Sequence, residues 1–429
     1  MEARALQGLI AVAIWLPVLI LYRVLGSPAA LRLVIPLPSL ILVADALGPR
    51  PCLVRWGSRR WRRAGYLCAA GLSGIALAGI IAAFTSPLPT TDQPATLLCG
   101  SRDLLRGRIP YLTYEPQCFR QLHDSSLAVT PLDAGPFANS GHPPSLSLIR
   151  DVFRRDQRTD THAGFPAFGY PPDAALLTIP VAFSGWMAMT AWVLGVSSLL
   201  FLTLWARPTA ARPLLMAWQF TAVALLLISF KGNPEDLSYL LLALALAYLD
   251  SPRISAVLMA AAICTNPLSW PIAPVYCAIV LHEPARGRRL RWLAASIFIG
   301  TAPWLIWDHQ LLTQLWRFAT MPVFPAGSAL GSYLPLSGVF RAICTLAFAT
   351  VALTIAYAGW RWPRWRWSAT ALVWVAFLLA WKGPEYYFLP ALWLGPSVVT
   401  AAYRSACAEA ARRVQASRFP LSLPNVHSN

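Results

Sequence analysis

The residues best placed to do chemistry are one aspartate and two lysines. Asp92 follows by seven residues an apolar run that ends at Thr85. At that spacing its carboxylate sits beside the bilayer surface, where a general base can take a proton from a hydroxyl. Position alone favours the plainer reading, a cap for a helix over 93–106, since Asp is a common helix starter. Lys231 and Lys382 are the only lysines, and their settings echo: Phe230-Lys231-Gly232-Asn233-Pro234-Glu235 and Trp381-Lys382-Gly383-Pro384-Glu385. A lysine ammonium is a compact cation suited to phosphate oxygens. A glycine beside it lets a head group approach the backbone. The plainer reading is a turn between two spans, with the lysine snorkelling and Gly-Pro ending a helix. Both readings stay open at this level.

Other polar features are fewer. Asn266-Pro267 breaks an apolar run, which is tolerated at membrane depth where the backbone lines a cavity or is covered by protein. Asp308-His309 ends a span, where a histidine either shuttles a proton or lies at the interface. Tyr170-Pro171-Pro172 and His142-Pro143-Pro144 are rigid turns that hold the chain rather than react. Cys99 and Cys118 share one polar loop and can pair if it faces an oxidising compartment. No Gly-rich nucleotide loop, nucleophile elbow or metal-ligand spacing is present in the sequence. No cofactor is therefore expected, and the need for a divalent metal is left open.

The elements that must carry these residues are membrane helices. The chain has 429 residues, 57% hydrophobic and 12% charged. A soluble domain carries about 25% charged residues. Repeated apolar runs of about 17–25 residues predict an all-α, polytopic protein of about 10–12 spans. The net charge of +17 does not indicate nucleic acid, because the arginines sit in short connectors between apolar runs. That distribution follows the positive-inside rule. Two spans near 6–25 and 31–47 precede the densest basic patch, Arg50 to Arg63. The first run is read as an anchor rather than a cleaved leader. Placing the basic patch in the cytoplasm puts both termini there and sends the span near 65–85 outward. The polar segment 86–173 is then extracytoplasmic. It is close to neutral, with eight Arg against eight Asp and one Glu. A short surface helix is expected over 150–158, and a half-helix over 173–184 interrupted by Pro180. Further spans are expected near 185–206, 214–230, 237–249, 292–307, 338–360, 368–381 and 386–403, with 254–281 as two short helices. Every connector assigned to the inside carries arginine. The chain thus divides into a two-span hairpin with its basic connector (1–64), a core (65–281), C-terminal membrane helices (282–403) and a basic tail (404–429).

The order of motifs is familiar. A span exits to Asp92, Arg106-Gly107-Arg108-Ile109-Pro110-Tyr111 follows, and Phe168-Gly169-Tyr170-Pro171-Pro172-Asp173 leads into an apolar helix with Pro180. This resembles the GT-C superfamily of integral-membrane glycosyltransferases, most nearly glycosyltransferase family 87, the polyprenyl-phosphate-mannose-dependent mannosyltransferases. The resemblance covers 65–281 best and the C-terminal third loosely. It implies an inverting hexosyl transfer, mannose first, from a polyprenyl-phosphate sugar to a glycolipid, glycan or protein hydroxyl outside the plasma (inner) membrane. In that reading Asp92 is the general base. Lys231 and Lys382, with Arg102 and Arg106, meet the donor phosphate, while Gly107, Tyr111, Tyr170, Pro171 and Pro172 shape the loop. The main rival is a multi-span transporter or lipid flippase, which shares the many spans and the broken helix. A non-enzymatic scaffold is a third reading.

Overall fold

A computed structural model describes residues 92–110, 118, 130–138, 142–159, 170–171, 173–183, 195–200, 202–203, 206, 234–283, 285–308, 311–313, 316, 323–325 and 329–382, with scattered positions from 394 to 411. The expected hairpin 1–64, the span 65–85, Lys231, Tyr111, Pro172 and His309 lie outside the described residues. The described part is helical, without a strand. Its helices include α1 (Asp92–Leu105), α2 (Leu146–Thr159), α3 (Asp173–Thr178), α4 (Pro234–Ala247), α5 (Pro252–Thr265), α6 (Ile272–Val280), α7 (Arg286–Trp307), α8 (Gly338–Arg361) and α9 (Arg366–Leu372).

Among the described residues, two helices are long and apolar enough to cross a membrane. Helix α7 has 22 residues and α8 has 24. At 1.5 Å per residue these run about 33 and 36 Å, against a hydrocarbon core about 30 Å thick. Many of their large apolar side chains point outward, though each helix also buries a few residues. Phe298, Ile299 and Ile306 on α7, and Val339, Leu346 and Leu353 on α8, are all exposed. The core helix of a soluble protein would bury such residues.

The interior is built by shorter helices. Helices α4 and α5 have 14 residues each, about 21 Å by the same rise. Ala243, Ala245, Ala247, Ala256, Ala260 and Ala262 are buried along them. Small side chains let the two backbones approach closely. Ser255 Oγ donates to Ala245 O at 2.8 Å and lies 2.8 Å from Tyr276 Oη, so the buried polar groups there are partnered. Tyr239 meets Trp374 edge-on, with ring centroids 5.9 Å apart.

Local sequence explains the breaks. Helix α5 ends where Asn266 leaves helical geometry, and the Asn266 side chain accepts from Leu268 N at 2.9 Å. That is a cap followed by proline, and it splits the run into two short helices. Pro180 likewise turns the end of α3 into a 3-10 turn over Ile179–Val181. The expected continuous span 368–381 differs: α9 gives way to 3-10 helix over Val373–Leu379. Three residues per turn eclipse positions three apart. Trp374 and Phe377 accordingly stack at 5.8 Å, and Phe377 also meets Phe348 of α8 at 4.9 Å.

The polar connectors gather at two ends. At one end Arg404 pairs with Asp250 at 2.8 Å, Arg366 approaches Glu283 at 4.0 Å and Ser405 at 2.8 Å, and His282 meets Trp360 O at 2.7 Å. Arg289 donates to Leu249 O, and Arg253 lies 4.5 Å over the Trp292 ring. At the other end Leu132 forms a β-bridge with Val323, Trp381 Nε1 donates to Val323 O at 3.0 Å, and Gly331 N donates to Ala380 O at 3.2 Å. Connectors assigned to one side by their arginines touch one another, and those assigned to the opposite side do the same.

Candidate functional site

The second of these ends carries the candidate site, and α1 is its centre. Asp92 is the first residue of α1, so the helix-start reading of this residue holds for the backbone. The helix closes at Gly107, whose φ of +71° is the left-handed geometry that favours glycine. Gly107 N donates to Leu104 O at 3.0 Å and Arg108 N to Asp103 O at 2.8 Å, the paired bonds of a Schellman ending. Gly107 therefore shapes the loop through its backbone.

Helix α1 packs on two sides. Ala95 and Cys99, four residues apart, join Ile149, Val152 and Phe153 of α2 with Phe137 and Phe324. Cys99 is bonded to Cys118, which closes the intervening loop. The expected surface helix over 150–158 is thus α2, longer than expected at Leu146–Thr159, with Ile149, Val152 and Phe153 in this cluster and Arg150, Arg154, Arg155 and Arg158 exposed. On its second side Leu97 and Leu98 join Tyr170, Ala174, Ala175, Val181 and Trp304. Ser101 Oγ donates between Leu97 O at 2.9 Å and Ala175 O at 2.7 Å, and lies 2.5 Å from Thr178 Oγ1. The turn at Tyr170-Pro171, both buried, delivers α3 into this contact.

Arg102 is 9% exposed. Its Nε donates to Ala182 O at 2.7 Å, and its guanidinium lies 5.7 Å over the Phe183 ring. The residue ties α1 to the segment after α3. Arg106 is exposed just beyond the end of α1. Lys382 is half-buried and follows Trp381, which is anchored on Val323. The structure thus brings Arg102, Tyr170 and Pro171 to one layer with α1 and places Lys382 on the neighbouring connectors of the same end.

Sequence reasoning gave Asp173 no chemistry, yet it has the most distinctive carboxylate environment in this layer. It opens α3. Burial pushes its carboxyl up from 3.8 to about 6, against the lowering effect of an indole N–H donated by Trp304. A Cβ on Gly300 would stand 2.9 Å from Asp173 Oδ2 and 3.4 Å from Cys264 Sγ. The missing side chain at Gly300 is what lets the carboxylate lie against α7. A carboxyl raised toward neutrality exchanges its proton closer to physiological pH than an ordinary aspartate does. Trp304 stacks on Trp307 at 5.6 Å, so an indole pair ends α7 beside this carboxyl. The only sequence signal was an aspartate directly after Tyr170-Pro171-Pro172 at a helix start. No protein-family model matches the chain, and neither the characterised proteins nor the solved structures contain a match to it.

Proposed function

We propose that the chain is a multi-pass membrane glycosyltransferase that moves a hexose, mannose first, from a polyprenyl-phosphate donor to a hydroxyl acceptor on the extracytoplasmic face of the plasma (inner) membrane. Both termini are cytoplasmic in this reading. The acceptor is a glycolipid, a glycan or a protein. One observation carries the reading: α1, tied by a disulfide to Cys118, packs together with α3 on Trp304 near the end of a membrane-length helix. A lipid-linked phosphate lies at that depth, and a disulfide suits an oxidising compartment. Gathering of the arginine-bearing connectors at the opposite end supports the cytoplasmic assignment.

The chemistry is a single displacement. The acceptor oxygen attacks the anomeric carbon while the bond from that carbon to the phosphate oxygen breaks. Asp92 takes the acceptor proton, and the polyprenyl phosphate leaves with the bonding electrons. Lys231, Lys382 and Arg106 stabilise the charge on the leaving phosphate. Arg102 contributes by holding the layer together, since its Nε is committed to Ala182 O. The test is transfer by the purified full chain in vesicles, using radiolabelled polyprenyl-phosphate mannose and glucose as donors. Label appearing in an acceptor supports the proposal. Movement of intact donor between leaflets without transfer would favour a flippase and overturn it.

A further inference from the structure

A cavity of about 120 Å³ lies away from Asp173, at the junction of three connectors of the loop end. Asp133 comes from the middle of the polar segment, Val323 and Ser337 from the segment before α8, Gly338 and Arg341 from the first turn of α8, and Trp381 from the connector after α9. The first two connectors are joined by the Leu132–Val323 bridge, and Trp381 is fixed by its bond to Val323 O. The walls are therefore set by the fold.

We infer that this cavity is a subsite for one neutral pyranose ring of a sugar substrate. The inference rests on the proposed transferase reading and adds the place where the sugar is read. The size fits: a cavity of about 120 Å³, open on one side, can take one edge of a sugar ring. The charges fit as well. Asp133 brings a carboxylate that accepts from hydroxyls, and Arg341 brings a guanidinium that donates to hydroxyl or ring oxygens. Their charges cancel, so a neutral polyol is favoured, whereas a phosphate would meet Asp133. Ser337 Oγ accepts from Val339 N at 3.2 Å and keeps its own O–H as a donor. The indole N–H of Trp381 is spent on Val323 O, so this residue offers the cavity apolar surface, which suits the C–H face of a pyranose. Two sources carry such a ring, the donor's sugar and a sugar of the acceptor.

The test uses Gly338→Leu and Asp133→Asn in the full chain. A Cβ at Gly338 meets no atom within 4 Å, so a side chain can be added at this cavity-lining position without a clash at its first carbon. Asp133→Asn keeps the shape and removes the charge. Saturation-transfer NMR of the solubilised protein with methyl α-D-mannopyranoside and methyl β-D-glucopyranoside should show binding by wild type of at least one sugar. Binding should weaken tenfold or more in each variant, while each variant still unfolds in one cooperative thermal transition. No sugar signal in wild type, or equal binding by Gly338→Leu, would overturn the inference. In transfer kinetics Asp133→Asn should raise one KM about tenfold and leave kcat unchanged. A rise for the lipid-linked donor assigns the donor's sugar to the cavity, and a rise for the acceptor assigns the acceptor's. A rise for neither would overturn the inference. Sugar binding by wild type without any transfer would retain the pyranose subsite and sink the transferase reading.

Discussion

Replacing Asp173 with asparagine separates the cost of burying its charge from the value of its contacts. Asparagine keeps an acceptor oxygen for the Trp304 indole and loses the charge. Burial moves the wild-type carboxyl from 3.8 to about 6. A raised folded-state value means that the carboxyl's contribution to stability is full below pH 3.8 and is lost as the pH climbs through 6. Two units at about 1.4 kcal/mol each give about 3 kcal/mol. The group is partly exposed, and solvent screening reduces this to about 1–2 kcal/mol. Asp173→Asn should therefore be more stable than wild type by about 1–2 kcal/mol at pH 8, with most of the gain gone at about pH 4. Thermal unfolding in detergent, followed by tryptophan fluorescence at the two pH values, measures it. A variant less stable than wild type at pH 8, or a difference independent of pH, would refute the account of this carboxyl.

Three further outcomes follow from the same layer. Gly300→Val should cost about 1–3 kcal/mol, because its side chain enters the space of Asp173 Oδ2 and Cys264 Sγ, and thermal unfolding reads the loss. Cys99→Ser should lower stability by about 3 kcal/mol and abolish the sensitivity of unfolding to reductant, since the bond closes a loop of 19 residues. Ser101→Ala should cost about 1–2 kcal/mol, because it removes the buried hydroxyl that bridges Leu97 O and Ala175 O, and unfolding of the variant checks it.

Much of the local architecture was legible in the sequence because its causes are local. Asn266-Pro267 carries both a cap and a helix breaker, and α5 ends there. Pro180 forces the turn after α3, and Gly107 supplies the positive φ that closes α1. The apolar run 338–360 gave α8 to within one residue at its end. What was missed depends on distant partners. Asp173 became distinctive only through Gly300 and Cys264, which reach it from helices far along the chain. Arg102 read as a loop cation for the donor phosphate, and its bond from Nε to Ala182 O comes from a segment eighty residues on. The 3-10 geometry of Val373–Leu379, which sets Phe377 against Phe348 of α8, is not encoded in hydropathy.

The central claim is that Asp92, at the start of α1, takes the acceptor proton during sugar transfer. The most direct measurement compares wild type with Asp92→Asn in vesicles supplied with radiolabelled polyprenyl-phosphate mannose. General-base catalysis contributes about 10²–10⁴ in rate, so the variant should fall at least about a hundredfold in kcat while still binding donor. Transfer by Asp92→Asn at the wild-type rate would contradict the account.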